Sequence, residues 1–212
     1  MAIGKKIEKK VIIFDYDGTI VDSSKIIMKA YNEIAGKYGL KSLNGMSDLG
    51  SLYEKNVYDS ILEKGLDKGK LDSFFKEWRD SFLDDSSDVR LINGIKEVIL
   101  FLAGKNDIYI ITSNSKKVIL SLLERFGIKG IKEVFGGDEE KSKVVKINAL
   151  RKGNKDREIF YVGDTVGDIL EAKKAKVKSV AVTWGVHSRR QLEKVKPDFI
   201  VDETEELLGI FK

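Results

Sequence analysis

The chain has 212 residues, 42% hydrophobic and 34% charged, which places it among soluble globular proteins able to bury a substantial core as one domain, or one domain with a smaller insert. Its 38 basic and 34 acidic residues leave a net charge of only +4 and are mostly scattered, so no dedicated nucleic-acid surface is expected. The lack of cysteine excludes disulfides and thiolate metal sites and fits a reducing cytoplasm; no apolar run reaches transmembrane length, and the run after the basic N-terminus is broken by Asp15 and Asp17, unlike a signal peptide.

Lys5, Lys6, Lys9 and Lys10 around Glu8 read as a solvated lead-in to the first strand, Val11-Ile12-Ile13-Phe14. A short apolar run of this kind is typical of a strand buried on both faces. It delivers Asp15 and Asp17 into the turn Gly18-Thr19. Asp and Gly are also ordinary turn residues, but average usage puts a chance Asp-x-Asp-Gly-Thr at roughly one in 10^5 per position, so a functional site is preferred. Two carboxylates at the C-terminal end of a buried strand suit covalent phosphoryl transfer, one attacking phosphorus and the other handling a proton.

From Asp22 to the mid-80s the pattern is helical. Ile26, Ile27, Ala30, Tyr31, Ile34, Ala35 and Tyr38 recur at helical spacing after a cap at Ser23 or Ser24, with Gly39 suited to the stop. The polar, Gly-bearing stretch from Lys41 to Ser51 predicts a loop, of which Asn44 to Ser51 would face a substrate. A second helix is predicted through Leu52, Tyr53, Val57, Tyr58, Ile61 and Leu62, ending near Gly65. A third carries Leu71, Phe74, Phe75, Trp78 and Phe82, an aromatic stripe expected to pack helices together rather than hold a cofactor. The charged residues Lys25, Lys29, Lys41 and Arg79 in this block are candidates for substrate contact.

From about Asp88 helix and strand alternate. A helix through Ile95 and Leu102 precedes the strand Asp107 to Thr112, which ends in Ser113-Asn114-Ser115. Then come a helix from Val118 to Phe126 closed by Gly127, a short strand near Glu133 to Phe135, and a helix from Ser142 to Leu150. The strand Glu158 to Val162 runs into Gly163-Asp164. A helix through Ile169, Ala172 and Ala175, the strand Ser179 to Thr183, a short helix and the strand Asp198 to Val201 complete the pattern. Repeated units of this length imply a mostly parallel sheet with helices on both faces. The all-helical stretch cannot belong to that sheet. Residues 22–87 are therefore expected as a helical domain inserted into an α/β unit of residues 1–21 and 88–212, crossing near Asp22 and Ser86-Ser87.

Three predicted strand ends carry polar groups: Asp15 with Asp17, Thr112 with Ser113 and Asn114, and Gly163-Asp164-Thr165-Val166-Gly167-Asp168. A parallel sheet brings such ends to one edge. Asp15 and Asp164 fit the oxygen ligands that Mg2+ prefers, while Thr112 and the turn after it offer phosphate donors. His187, the only histidine, is expected as a loop residue near the sheet edge, and Arg189-Arg190 as a solvated helix start.

The run Asp15-Tyr16-Asp17-Gly18-Thr19-Ile20-Val21-Asp22-Ser23, Thr112 after an apolar strand, a lysine ahead of a helix, and Gly163-Asp164-x-x-x-Asp168 resemble the four motifs of the haloacid dehalogenase-like hydrolase superfamily, from about Lys10 to Phe211. The first and fourth motifs are specific, the second is short and the third weak. Within the superfamily the chain looks like the phosphoglycolate phosphatase branch. The resemblance implies a Rossmann-like α/β parallel sheet with an inserted all-helical cap domain, and a cytoplasmic, Mg2+-dependent phosphatase acting on a small phosphorylated metabolite, phosphoglycolate being one candidate. It implies Asp15 as nucleophile and Asp17 as acid and then base, Thr112 and Ser113 as phosphate ligands, and Asp15, Asp17, Asp164 and Asp168 around the metal, Asp17 through its main-chain carbonyl. Lys141 is the first choice for the phosphate-binding cation and Lys143 its rival. Dehalogenases lack the second Asp and transport ATPases resemble Asp-Lys-Thr-Gly-Thr, which disfavours both. Asn93-Gly94 replaces the Pro-Gly of many relatives. A sugar-phosphate mutase and a non-catalytic binding protein on the same fold are the alternatives, and no nucleic-acid or membrane partner is expected.

Overall fold

The computed structural model describes residues 9–84 and 86–211; of the lysine-rich lead-in, Lys5, Lys6 and Glu8 lie outside the described residues. The chain passes from β1 (Val11–Phe14) through a tight turn to β2 (Val21–Asp22), and then through α1 (Ser24–Ala35), α2 (Met46–Leu52), α3 (Val57–Glu63) and α4 (Leu71–Asp84) to β3 (Arg90–Leu91). β2 and β3 pair antiparallel, with Val21 opposite Leu91 and Asp22 opposite Arg90. The helical block thus leaves and re-enters through a single two-stranded tie.

Beyond the tie, α5 (Ile95–Ala103), β4 (Asp107–Ile111), α6 (Lys116–Phe126), β5 (Ile131–Phe135), α7 (Lys143–Gly153), β6 (Ile159–Gly163), α8 (Val166–Lys174), β7 (Lys178–Val182), α9 (Arg189–Lys194), β8 (Phe199–Val201) and α10 (Glu206–Ile210) follow. The long sheet has the order β5-β4-β1-β6-β7-β8, with every pairing parallel. Alternate residues of β1 serve opposite faces. Ile12 and Phe14 join a core with α5, α6 and the helical block, whereas Val11 and Ile13 pack with Ile147 of α7 and Ala172 of α8. This double burial explains why β1 is apolar throughout.

The register sets the site. Phe14 lies opposite Ile110 of β4 and Val162 of β6, so Asp15, Thr112 and Asp164 emerge together at the carboxyl edge. The strand order also reverses at β1, since β4 and β5 lie to one side and β6 to β8 to the other. Ligand sites of open α/β sheets form at such a switch point.

The aromatic stripe packs as expected: Tyr31 of α1 meets Phe74 and Trp78 of α4 edge-on, at centroid distances of 5.9 and 5.2 Å, and the Trp78 indole donates to the carbonyl of Ile27 at 3.2 Å. The expected second helix is two helices, and the expected loop up to Ser51 becomes helical from Met46. The break at residues 53–56 has a tertiary cause. The Tyr53 carbonyl accepts the Gly167 amide at 2.8 Å, and Asn56 caps α3 by accepting the amide of Tyr58. Asn93-Gly94 also has a structural use: Gly94 lies at φ +74 against Thr204, whose hydroxyl donates to the Asn93 carbonyl at 3.0 Å. Among the described residues no helix is long and apolar enough to cross a membrane.

Candidate active site

Asp15 continues the central ladder, its amide donating to the Val162 carbonyl at 2.8 Å. The chain then folds back, with the amides of Ile20 and Val21 both reaching the Tyr16 carbonyl. Gly18 is obligatory in this turn. Its φ is +78, and a Cβ there would sit 2.2 Å from Asp164 Oδ2. The turn therefore presses on the buried Asp164, whose Oδ1 accepts from the Thr19 hydroxyl and whose Oδ2 accepts from the Val186 amide, both at 2.8 Å.

Asp168 is fixed by the start of α8. Its Oδ2 accepts from the Thr165 amide and hydroxyl, at 3.1 and 2.6 Å, while the Asp168 amide donates back to Thr165 Oγ1 in a capping box. Its Oδ1 accepts from Lys143 Nζ at 2.8 Å and from the Tyr161 hydroxyl at 3.2 Å. Lys143 also lies 3.1 Å from Asp15 Oδ2. Asp15, Asp164 and Asp168 each offer an oxygen within 4.8 Å of the others.

Lys141, the first choice from the sequence, is not brought to this cluster. It lies ahead of the Ser142 cap of α7 and pairs with Asp72 of α4 on the outside, whereas its rival Lys143 is the first residue of the helix and turns inward. The sequence did carry the signal. Lys143, Lys146, Ile147 and Leu150 recur at i, i+3, i+4 and i+7 and share the buried face of α7. Counting back from Ile147 selects Lys143, and also points to Lys146, which the motif comparison passes over. Lys146 Nζ donates to the carbonyls of Thr112 and Gly136 at 2.9 and 3.1 Å, bracing the loop that carries Thr112. Glu171, buried below and accepting from the Asn56 amide at 2.9 Å, has no motif to announce it.

Opposite the acidic cluster, the Thr112 hydroxyl accepts the Asn114 amide at 2.9 Å. Asp17 is held by the Ser23 hydroxyl at 2.7 Å and faces the Asn114 side-chain amide at 3.5 Å. Asp15, Asp17, Thr112, Ser113 and Lys143 line one small cavity of about 30 Å³. His187 stays in the loop after β7, as expected; it is buried, and Nδ1 accepts the Val166 amide at 2.9 Å.

The electrostatics follow from burying several carboxylates around one ammonium. Burial pushes Asp15 well above the usual carboxylate range; Lys143 opposes this, and Asp168, Asp164 and Asp17 add to it. Burial and the charge of Asp168 push Asp164 up to about 7. Asp17 is raised by burial against the hydrogen bonds from Ser23 and Asn114. For Lys143 burial acts downward, but the charges of Asp15 and Asp168 outweigh it and hold the ammonium well above its ordinary value.

Compared with known proteins, the chain matches the family of haloacid dehalogenase-like hydrolases over residues 12–182. It is 27% identical to the phosphoglycolate phosphatase of Synechococcus elongatus, over 94% of this chain and 95% of that protein. It is 24% identical to the pyrophosphatase PpaX of Bacillus cereus, over 94% of each. Among solved structures, a haloacid dehalogenase-like family hydrolase from Streptococcus pneumoniae superposes with a TM-score of 0.79 at 22% identity, covering 96% of this chain and 99% of that one.

Proposed function

The chain belongs to the haloacid dehalogenase-like hydrolases, and from that premise we propose that this phosphatase is metal-dependent and hydrolyses a small phosphorylated metabolite through an aspartyl-phosphate on Asp15. The observation that carries the proposal is the convergence of Asp15, Asp17, Thr112 and Lys143 on one cavity at the carboxyl edge of the sheet.

The donor set fits a hard divalent cation such as Mg2+. Three buried carboxylates gather around one lysine, which pairs with Asp15 and Asp168, so the cluster would carry excess negative charge when ionised, and an all-oxygen site of this kind suits Mg2+. Asp164 accepts one hydrogen bond on each oxygen, and among the described residues Lys143 is the one cation paired with Asp15, so both retain lone pairs for a metal. Asp168 already accepts two donors on each oxygen and is better placed to orient Lys143. The Asp17 main-chain carbonyl is the remaining proposed ligand. When bound, the cation would neutralise charge on the transferring phosphoryl group and favour ionised Asp15.

In the first half-reaction a carboxylate oxygen of Asp15 bonds to phosphorus as the bond to the leaving oxygen breaks, and Asp17 gives that oxygen its proton. The elevated pKa of Asp17 suits a donor. In the second half-reaction Asp17, now ionised, takes a proton from water as the water oxygen bonds to phosphorus. The bond to Asp15 breaks, releasing inorganic phosphate and restoring the carboxylate. Lys143 and the hydroxyls of Thr112 and Ser113 hold the phosphoryl oxygens. Residues 22–87 act as a cap domain over this site. The bonds from Gly167 to Tyr53, Asn56 to Glu171 and Tyr58 to Gly137 seat the cap and exclude water during transfer.

The test is phosphate release from small phosphomonoesters, with Mg2+ and with chelator, in the native chain and Asp15→Asn. Release that needs metal and falls by about 10^3 or more in the variant is expected. Native-like rates in Asp15→Asn would overturn the covalent mechanism.

A further inference from the structure

A second cavity, of about 50 Å³, adjoins the catalytic one, and the two share Asp17, Ile27, Tyr53 and Ser113. Asp17 thus borders both chambers, as a proton donor between phosphoryl group and leaving group must. If the chamber beside Asp15 and Thr112 receives the phosphoryl group, the second receives the leaving group. Its walls are largely apolar, from Ile27, Val57, Phe75, Trp78 and Phe82, with Asp17, Ser113 and Asn114 on the sheet side and a single cation, Arg79 of α4.

Arg79 has no carboxylate within ion-pair distance among the described residues. Its one hydrogen bond goes to the Tyr58 hydroxyl at 3.5 Å, and that hydroxyl donates onward to the Gly137 carbonyl at 3.1 Å. The contrast with the rest of the block is informative. Lys37, Lys55 and Lys76 each pair with an acidic residue on the surface and Lys25, Lys41, Lys68 and Lys70 stand exposed to solvent, while the half-buried Arg79 borders an apolar chamber with most of its donors unused. A guanidinium in such surroundings is matched by a planar or tetrahedral oxyanion, which it binds through paired N–H donors.

We propose that Arg79 is the specificity determinant of the enzyme, binding an anionic group on the leaving side of the substrate, a carboxylate or a second phosphate on a short body. This rests on the phosphatase function proposed above. Because Arg79 and Asp17 line the same chamber, the anionic group lies close to the scissile bond, as it does in phosphate esters of two- and three-carbon hydroxy acids and in pyrophosphate.

The experiment measures kcat/KM for 2-phosphoglycolate, pyrophosphate, ethyl phosphate and O-phosphoethanolamine in the native chain, Arg79→Gln and Arg79→Glu, with Asp15→Asn as the chemical control. The native chain should prefer an anionic leaving group over ethyl phosphate by roughly 10- to 100-fold, the range for a charge-assisted contact. The preference should fall to near unity in Arg79→Gln, and in Arg79→Glu it should turn towards O-phosphoethanolamine. Which of 2-phosphoglycolate and pyrophosphate ranks higher distinguishes carboxylate from phosphate. An unchanged preference in Arg79→Gln, or an equal fall on all four substrates, would overturn the role of Arg79 while leaving the Asp15-dependent chemistry standing. Phosphate release that survives Asp15→Asn, or no release from any substrate, would refute the phosphatase mechanism itself and Arg79's role with it.

Discussion

Lys146 offers a sharp test of how the site is braced. Its side chain is 4% exposed, and burial, with the charge of Lys143, brings its pKa from 10.5 to about 8. Deprotonation leaves an amine with two N–H donors, enough for both carbonyls it serves, those of Thr112 and Gly136. Below pH 8 the folded and unfolded chains both carry the proton, and folding bears the full penalty of burying the charge. Between about pH 8 and 10.5 the unfolded chain binds a proton that the folded chain has released, so stability rises with pH. The whole displacement corresponds to about 3 kcal/mol. In Lys146→Met the titration disappears and two buried carbonyls lose their donor, each at about 1–3 kcal/mol. At neutral pH this loss is offset by relief from the buried charge, but between pH 7.5 and pH 10 the gap should shift by about 2 kcal/mol in favour of the native chain. Urea unfolding of both proteins in chelator across this range measures the gap. Parallel curves would show that Lys146 is not buried as a charge and would refute the reasoning.

The two lysines of the third motif should separate cleanly. Lys143→Met should abolish phosphate release and, by removing one partner of a buried pair, cost about 3–5 kcal/mol in metal-free unfolding, whereas Lys141→Met, which breaks an exposed pair with Asp72, should cost at most about 1 kcal/mol. Gly18→Ala should cost about 2–4 kcal/mol, from a positive φ and the displacement of Asp164; urea unfolding with m unchanged would check it, and a loss under about 1 kcal/mol would mean the turn relaxes freely. Mg2+ should raise the melting temperature of the native chain. By calorimetric titration Asp164→Asn should weaken Mg2+ binding more than Asp168→Asn does, and the reverse order would contradict the lone-pair count.

What the sequence disclosed depended on how local the determining interaction is. β1 and the Asp15-Tyr16-Asp17-Gly18-Thr19 turn were legible because their burial on both faces and their chemistry lie in one contiguous run. The parallel sheet was legible because each helix-strand unit carries its own periodicity, and the helical block stood out because that alternation stops. The failures lie where distant segments meet. Residues 53–56 look helical on their own and break because the Tyr53 carbonyl answers an amide 114 positions later, at Gly167. Arg79 was one of four charged candidates in the block, and only packing singles it out, by placing α4 over Asp17.

The choice between Lys141 and Lys143 shows where a motif alone runs out. A lysine ahead of a helix satisfies the pattern equally well at either position, because the pattern records order along the chain and not the face of the helix. The buried face is set by Ile147 and Leu150, which pack with Val11 and Ile13 of β1. That packing carries Lys143 to Asp15 and Lys146 to the Thr112 carbonyl. The same apolar contacts that hold α7 to the sheet thus place its two buried ammonium groups at adjacent strand ends. A lysine two residues earlier lies on the wrong side of the cap, however well it fits the motif.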